Sequence, residues 1–125
     1  MMKKRVLVID DEPDITASIK NGLTRNGFEV TTYNDPVSAL ENYNVGTYDL
    51  LLLDIRMPKM NGFEFYREIK KKGNDTAKVC FFTAFEVYYD EFKKIFPNVE
   101  VKCFIRKPVT INELVSHINS ELVSI

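Results

Sequence analysis

Polar side chains that could carry phosphoryl chemistry stand directly after short apolar runs of the sequence. Asp10 and Asp11 follow the first run, and Asp54 follows four consecutive leucines. Thr83 closes a third run, and Lys107 comes just after a fourth. A single aspartate in such a place often marks a chain that is emerging into solvent, so only the combination points to chemistry.

Three clustered carboxylates repel one another unless a cation offsets their charge. Carboxylate oxygens suit Mg²⁺, which takes one or two of them and fills its other positions with water and phosphate oxygens. A lysine ammonium and a threonine hydroxyl can hold phosphoryl oxygens, and a carboxylate can itself be the nucleophile that forms an aspartyl phosphate. Because Asp54 ends the most hydrophobic run, the pattern predicts Asp54 as a Mg²⁺-assisted phosphoryl acceptor.

The segments that carry these residues alternate between strand and helix patterns. Continuous apolar runs predict buried strands, and apolar residues at a spacing of four, such as Ile15, Ile19 and Leu23, predict helices. The predicted strands are 5–9, 28–33, 49–54, 79–83 and 101–105. Of the five predicted helices, the first ends near Asn26, the second begins at Asp35-Pro36 and the third ends near Lys72. The fourth runs from roughly Val87 to Phe96, and the last begins at the Thr110–Glu113 capping box.

Five strand–helix pairs predict an α/β fold with a doubly wound five-stranded parallel sheet, right-handed crossovers and helices on both faces. Ligand sites in such sheets lie beyond the carboxyl ends of the strands, where the polar residues above would converge. The sequence contains no repeat, low-complexity tract or linker, so residues 1–125 are expected to form a single domain.

Four pieces of the sequence stand in order at these strand ends. They are Val8-Ile9-Asp10-Asp11-Glu12, Leu53-Asp54-Ile55-Arg56-Met57-Pro58 with Gly62, Phe82-Thr83-Ala84, and Phe104-Ile105-Arg106-Lys107-Pro108. Together they resemble the receiver domain of two-component response regulators, and the resemblance covers nearly the whole chain. It implies the flavodoxin-like strand order 2-1-3-4-5 and a cis Lys107-Pro108 bond. Proline lowers the free-energy cost of a cis peptide bond, but this sequence alone does not establish the cis form.

The resemblance also assigns roles to individual positions. Asp54 matches the phosphoacceptor. Asp11 matches the direct Mg²⁺ ligand and Asp10 its neighbour that acts through water, while the backbone carbonyl of Arg56 would be the remaining protein ligand. The implied cofactor is therefore Mg²⁺, held by Asp10, Asp11, Asp54 and Arg56.

Three further residues match the family's catalytic and switch positions. Thr83 and Lys107 correspond to the pair that holds the phosphoryl oxygens, and Phe104 corresponds to the switch aromatic. In the family, phosphorylation draws the threonine toward the phosphate and the aromatic turns inward, so a local charge change biases a two-state element. Phe104 lacks the hydroxyl of the tyrosine often found there, and a plain core role for Phe104 stays open.

The implied function is a phosphorylation-dependent signalling switch that takes its phosphoryl group from a histidine kinase or phosphotransfer protein. Its readout would be the face of the fourth helix, fifth strand and last helix, which would bind a downstream protein, an output domain or a second copy as a homodimer. The domain would promote only its own phosphorylation and dephosphorylation, so no turnover of a separate substrate is expected.

Two other readings compete with the switch. An Asp-nucleophile phosphohydrolase of the haloacid-dehalogenase type needs an aspartate two residues after its nucleophile, but Glu12 follows Asp10 at that spacing. A phosphate-independent interaction module is the second alternative. The presence of every acidic, threonine and lysine position argues against it.

Composition narrows the remaining classes. Hydrophobic residues make up 45% of the 125 residues and charged residues 28%, with a net charge of −1. No basic stripe favours direct binding to nucleic acid or to an anionic membrane. The first apolar run is too short for a signal peptide or a membrane span, so a cytoplasmic protein is expected.

Several other residues have less specific readings. Cys80 and Cys103 lie in apolar runs without metal-ligand spacing, so buried reduced thiols are expected. His117 has no acidic or cysteine neighbour at ligand spacing and is expected at the surface. Aromatic residues gather in and before the fourth predicted helix, where core packing and a partner surface both remain open: Phe85, Tyr88, Tyr89, Phe92 and Phe96.

Overall fold

Five parallel strands form the centre of the molecule in the computed structural model, which describes residues 3–84, 90, 93–94, 97 and 103–123. Their order is β2-β1-β3-β4-β5, as predicted, and each neighbouring pair is parallel. The strands are β1 (Arg5–Ile9), β2 (Glu29–Tyr33), β3 (Leu50–Asp54), β4 (Lys78–Thr83) and β5 (Cys103–Arg106).

Two of the described helices begin at the predicted capping signals. Asp35 accepts the backbone N–H of Val37 before a proline at the first helical position, and Thr110 and Glu113 form the predicted capping box. A second capping box joins Asn61 and Glu64. The helices are α1 (Pro13–Arg25), α2 (Pro36–Glu41), α3 (Gly62–Lys70) and the C-terminal helix (Ile111–Leu122).

Side chains of the strands alternate between two cores, one on each face of the sheet. In β3, Leu51 and Leu53 belong to the core that also contains residues of α2 and α3. Leu50 and Leu52 belong to the opposite core, which contains residues of α1 and the C-terminal helix. Fully burying a leucine contributes about 1.5–3 kcal/mol, so β3 can hold the buried carboxyl of Asp54 at its end.

The cysteines differ from the sequence prediction. Cys80 and Cys103 stand opposite each other in the register of β4 and β5, and they form a disulfide with a Cα–Cα distance of 4.6 Å. The expectation of two reduced thiols is therefore wrong in this structure. Spacing along the chain could not reveal the pair, because 23 residues separate the two cysteines and only strand register brings them together.

Part of the prediction falls outside the described residues. Most of the fourth helix, predicted from roughly Val87 to Phe96, lies there, because only its residues 90, 93 and 94 are described. The first two residues of the predicted fifth strand lie there as well. Of the aromatic group, all five members lie there as well: Phe85, Tyr88, Tyr89, Phe92 and Phe96. Within the ranges that are described, no helix combines the length and apolar character needed to cross a membrane, and His117 is exposed as predicted.

Candidate functional site

The predicted polar residues meet at the carboxyl edge of the sheet. Asp10 follows β1, Asp54 ends β3, Thr83 ends β4, and Lys107 follows β5. The strand order makes these four strands consecutive neighbours. Asp10, Asp54 and Thr83 are 0%, 5% and 3% exposed, which is far more burial than chain ends emerging into solvent would show.

Lys107 connects the two buried aspartates. Its Nζ lies 2.6 Å from Oδ2 of Asp10 and 3.6 Å from Oδ2 of Asp54. The ammonium also lies over the ring of Phe82, 4.8 Å from the ring centroid. The backbone N–H of Lys107 donates to the carbonyl of Thr83, and the Lys107-Pro108 bond is cis. The Lys107 ammonium thus lies between the carboxyl groups of Asp10 and Asp54 at the end of the sheet.

The pKa of Asp54 is raised to about 7, mainly by burial and next by the negative charge of Asp10. Lys107 opposes these effects, Asp11 adds to them, and a hydrogen bond from the Arg56 backbone lowers the pKa again. Near neutral pH the acidic cluster therefore holds Asp54 on the border between its neutral and charged forms. Added positive charge at this place would favour the ionised carboxylate.

The residues fit a hard divalent cation. Carboxylate oxygens of Asp10, Asp11 and Glu12 lie within 4.8 Å of one another. A cavity of about 140 Å³ adjoins them, lined by Asp11, Glu12, Asp54, Arg56, Thr83, Ala84 and Lys107. This all-oxygen donor set and partly open cavity suit Mg²⁺, which keeps several waters, better than a metal that prefers nitrogen or sulfur ligands.

Comparison with known proteins identifies the family. The family model of the response regulator receiver domain matches residues 6–119, a range that contains every site residue named above. The chain belongs to this receiver domain family. It is a receiver domain of two-component response regulators, which signal in a phosphorylation-dependent manner.

Named relatives and solved structures agree with this assignment. The receiver domain is 33% identical over 118 residues to the transcriptional regulatory protein PrrA of Mycobacterium leprae. This match covers 94% of the present chain and 49% of PrrA. The chain spans about half the length of the curated relatives it matches. It is 34% identical to the response regulator TrrA of Thermotoga maritima, solved in complex with Mg²⁺-BeF, with a TM-score of 0.79 over 96% of this chain and 99% of that one.

A second structure supports the same fold. The CheY-like receiver domain protein of Methanospirillum hungatei is 27% identical, with a TM-score of 0.79 over 97% of this chain and 94% of that one. The predicted family, fold class and signalling function are thus confirmed. The roles of individual residues stay predictions.

The loop after β3 fixes the backbone on which Asp54 stands. A Cβ on Gly62 would lie 2.4 Å from the carbonyl oxygen of Asp54, so only glycine permits this close approach of α3. The N–H of Gly62 donates to the carbonyl of Ile55. Between Ile55 and Gly62, Lys59 adopts a φ of 71°, and the N–H of Met60 donates to the carbonyl of Pro58. Residues 58–60 thus form a tight three-residue turn of a rare type.

Three polar residues near the receiver site received no role from the sequence. Glu12 contributes to the acidic group. Asn34 reaches the backbone of Asp10, and buried Thr16 contacts Asn34. Glu12 was visible in the acidic triplet, but Asn34 preceded an obvious helix cap and gave no separate signal. Its distance of 24 residues from Asp10 is bridged only by the pairing of β1 with β2.

The surroundings of Phe104 fit both roles considered for it, a switch residue and a core residue. It is half-buried and stacks on Phe81 with ring centroids 5.5 Å apart and an interplanar angle of 28°. It packs against the core on the α2 and α3 face. A partly accessible ring at this place is compatible with both a switch and a core residue, so its switch role remains a prediction.

Proposed function

We propose that this receiver domain accepts a phosphoryl group on the side chain of Asp54 with the help of Mg²⁺. The convergence of buried Asp54 with Lys107 and the Asp10–Glu12 carboxylates is the observation that carries the proposal. TrrA, a relative solved with Mg²⁺-BeF, supports the choice of ion and of phosphoryl chemistry.

Asp54 supplies the nucleophile. A carboxylate oxygen of Asp54 attacks phosphorus, the bond from phosphorus to the donor nitrogen breaks, and the electron pair of that bond leaves with the donor's imidazole. The attacking group must be ionised, and a pKa of about 7 leaves a substantial fraction of it neutral. Bound Mg²⁺ supplies positive charge that favours the carboxylate and offsets the charge of the phosphoryl oxygens.

Lys107 and Thr83 act on the transferred group. The ammonium of Lys107 already lies 3.6 Å from Asp54, so a short movement brings it to a phosphoryl oxygen attached there. Thr83 lines the same cavity and can donate its hydroxyl to another oxygen. Phosphoryl transfer depends mainly on such positioning and charge neutralisation, which this cavity offers. The phosphoryl oxygens and Phe104 would then be coupled through β4 and β5.

Asp10, Asp11 and the backbone carbonyl of Arg56 are the proposed remaining groups that would hold Mg²⁺, and Glu12 would add negative charge beside them. The donor would be a histidine kinase or a phosphotransfer protein in the cytoplasm. The output would be a downstream protein, an attached output domain or a homodimer formed through the face of the fourth helix, β5 and the C-terminal helix. The domain itself would turn over no separate substrate.

A small phosphodonor tests the proposal. Incubation with acetyl phosphate and Mg²⁺ should give a phosphoryl adduct in the intact mass of the wild-type protein. The adduct should disappear in Asp54→Asn. Asp49→Asn is a matched control, because Asp49 lies just before β3 at the opposite edge of the sheet and accepts the N–H of Arg5.

Two results would contradict the proposal. Label on Asp10 together with repeated hydrolysis of simple phosphoesters would indicate a phosphohydrolase. No adduct at all, whether or not Mg²⁺ is present, would favour an interaction module that works without phosphate.

A further inference from the structure

Asn34, just past the end of β2, holds the backbone of the acidic segment. Its Nδ2 donates to the carbonyl oxygen of Asp10 at 2.8 Å and to Oγ1 of Thr16 at 2.9 Å. The side-chain amide therefore joins the end of β1 to the first turn of α1. Although Asn34 is exposed as a residue, both of its amide hydrogens are used inside the molecule.

The contact with Thr16 extends this arrangement. The hydroxyl of Thr16 accepts from Asn34 and donates to the carbonyl of Pro13 at 3.1 Å, so both of its functions are satisfied. Thr16 is only 3% exposed, and water cannot easily replace these bonds. The segment from Asp10 to Pro13 is thus anchored at both of its ends.

The segment is also braced from within. The side chain of Asp10 accepts the backbone N–H of Glu12 at 2.9 Å through Oδ1, while its Oδ2 faces Lys107. The orientation of Asp10 thus depends on the backbone that Asn34 holds. Between the anchors lie the carboxylates of Asp11 and Glu12, which are held close together although their charges repel each other.

We propose that Asn34 is a positioning residue that holds the Asp10–Glu12 segment in the shape required for a divalent cation. The inference rests on the proposed function, since that function places Mg²⁺ at this segment. Asparagine suits the task because it supplies two donors without charge. It acts through the backbone of Asp10 and contacts neither the cation nor the phosphoryl group.

Replacing Asn34 with alanine tests the inference. Binding of Mg²⁺ by calorimetry, and of Mn²⁺ by electron paramagnetic resonance, should weaken by about threefold to tenfold, as losses of outer contacts and of single hydrogen bonds suggest. Asn26→Ala is the matched control. Asn26 is also exposed and donates from Nδ2 to a backbone carbonyl at 2.8 Å, that of Gly22, but it lies at the far end of α1.

The kinetics of phosphorylation separate positioning from loss of structure. In Asn34→Ala, the Mg²⁺ concentration that gives half the maximal rate with acetyl phosphate should rise, while the rate at saturating Mg²⁺ stays near the wild-type value. A merely structural defect would lower both. Thr16→Val should show the same pattern, and the double variant should be little worse than either single variant because the two side chains act together.

Each outcome decides the matter. Affinity within twofold of the wild type in both Asn34→Ala and Thr16→Val would overturn the inference, and so would an equal loss in Asn26→Ala. Failure of the wild-type protein to bind Mg²⁺ or to form the adduct would instead refute the proposed function on which the inference rests.

Discussion

At the scale of single residues, Asp54 is placed where its charge is unfavourable in the absence of a cation. It is 5% exposed and faces the negative charges of Asp10 and Asp11, with Lys107 shared between Asp10 and Asp54. Because the pKa of Asp54 is raised by burial and by Asp10, the folded state binds a proton more tightly than the unfolded state. Folding without metal therefore becomes less favourable as this group ionises.

Asp54→Asn should accordingly stabilise the metal-free protein. The cost of ionising Asp54 in the folded protein grows as the pH rises from its unfolded-state pKa near 3.8 to its folded-state pKa of about 7. This cost is therefore small near pH 4 and complete above pH 7. A tenfold change in proton affinity corresponds to about 1.4 kcal/mol, and we expect a gain on the order of 2 kcal/mol at pH 8. Urea unfolding in the presence of a chelator measures it.

Asp49→Asn provides the comparison, because Asp49 lies just before β3, away from the acidic cluster, and accepts the N–H of Arg5; this variant should bring no comparable gain in stability. Added Mg²⁺ should narrow the gap between the wild type and Asp54→Asn, since the cation offsets the repulsion. An Asp54→Asn variant that is less stable than the wild type at pH 8 without metal would contradict the description of this carboxyl.

Sequence reasoning predicted the residues that stand at strand ends, and it missed those that act from a loop. Asp54, Thr83 and Lys107 follow apolar runs, so parallel pairing alone brings them together. Asn34 makes its contacts through a side-chain amide that reaches across from the end of β2. No periodicity marks such a contact, because it depends on the register of two strands and on a side-chain rotamer.

At the scale of elements, the close approach of α3 to β3 controls the position of Asp54. Gly62→Ala would set a Cβ against the Asp54 carbonyl oxygen, and a backbone atom cannot move aside as a side chain can. We expect a loss of about 1–3 kcal/mol in the free energy of unfolding together with slower phosphorylation by acetyl phosphate. Thermal unfolding and intact mass measure the two effects.

Gly22→Ala is the control for this prediction. A Cβ on Gly22 would lie 2.5 Å from the side chain of Ile111, where α1 packs against the C-terminal helix away from the acidic site. That variant should lose stability and keep its phosphorylation rate. Equal rates in Gly62→Ala and the wild type would show that the β3–α3 approach does not position the acceptor.

The disulfide between β4 and β5 is a second feature at this scale. Cys80 lies three residues before Thr83, and Cys103 directly precedes Phe104, so the bond joins the strands that carry both proposed switch residues. Closing a loop of this length stabilises a folded chain by about 3 kcal/mol in the chain-entropy view. Reduction with dithiothreitol should lower the melting temperature by roughly 5 °C or more.

The double variant Cys80→Ala/Cys103→Ala should not respond to dithiothreitol. Alkylation followed by mass measurement reports the bond directly, since both cysteines should resist the reagent until the disulfide is reduced to two thiols. Two thiols that react under denaturing conditions without reductant, with a melting temperature unaffected by dithiothreitol, would show that the pair is not bonded.

At the scale of the whole molecule, the alternation of apolar runs and helix patterns was enough to predict the fold class. β3 is covered on both faces and reads as unbroken leucine, and the strand order follows the family resemblance. Contacts between distant elements were not predictable. Lys72 was predicted only as the residue near which a helix ends, and its Nζ donates to the carbonyls of Leu40 and Tyr43 at the end of α2.

The arrangement of the whole molecule explains why one edge of the sheet can serve as a switch. Two apolar cores hold the strands rigidly, while the charges and hydroxyls needed for phosphoryl transfer gather at the carboxyl edge in a cavity of about 140 Å³. A phosphoryl group on Asp54 would change the charge at the point where β1, β3, β4 and β5 all end. Such a change can bias an element with two arrangements.

The most direct test of the central claim is to locate the phosphoryl group in the chain. After incubation with acetyl phosphate and Mg²⁺, borohydride reduces an aspartyl phosphate to homoserine, and peptide masses identify the residue that has changed. Homoserine at position 54, present with Mg²⁺ and absent with a chelator, is the predicted result. Homoserine at position 10 or 11, or an unmodified Asp54 in protein that carries the adduct, would contradict the assignment of Asp54 as the acceptor.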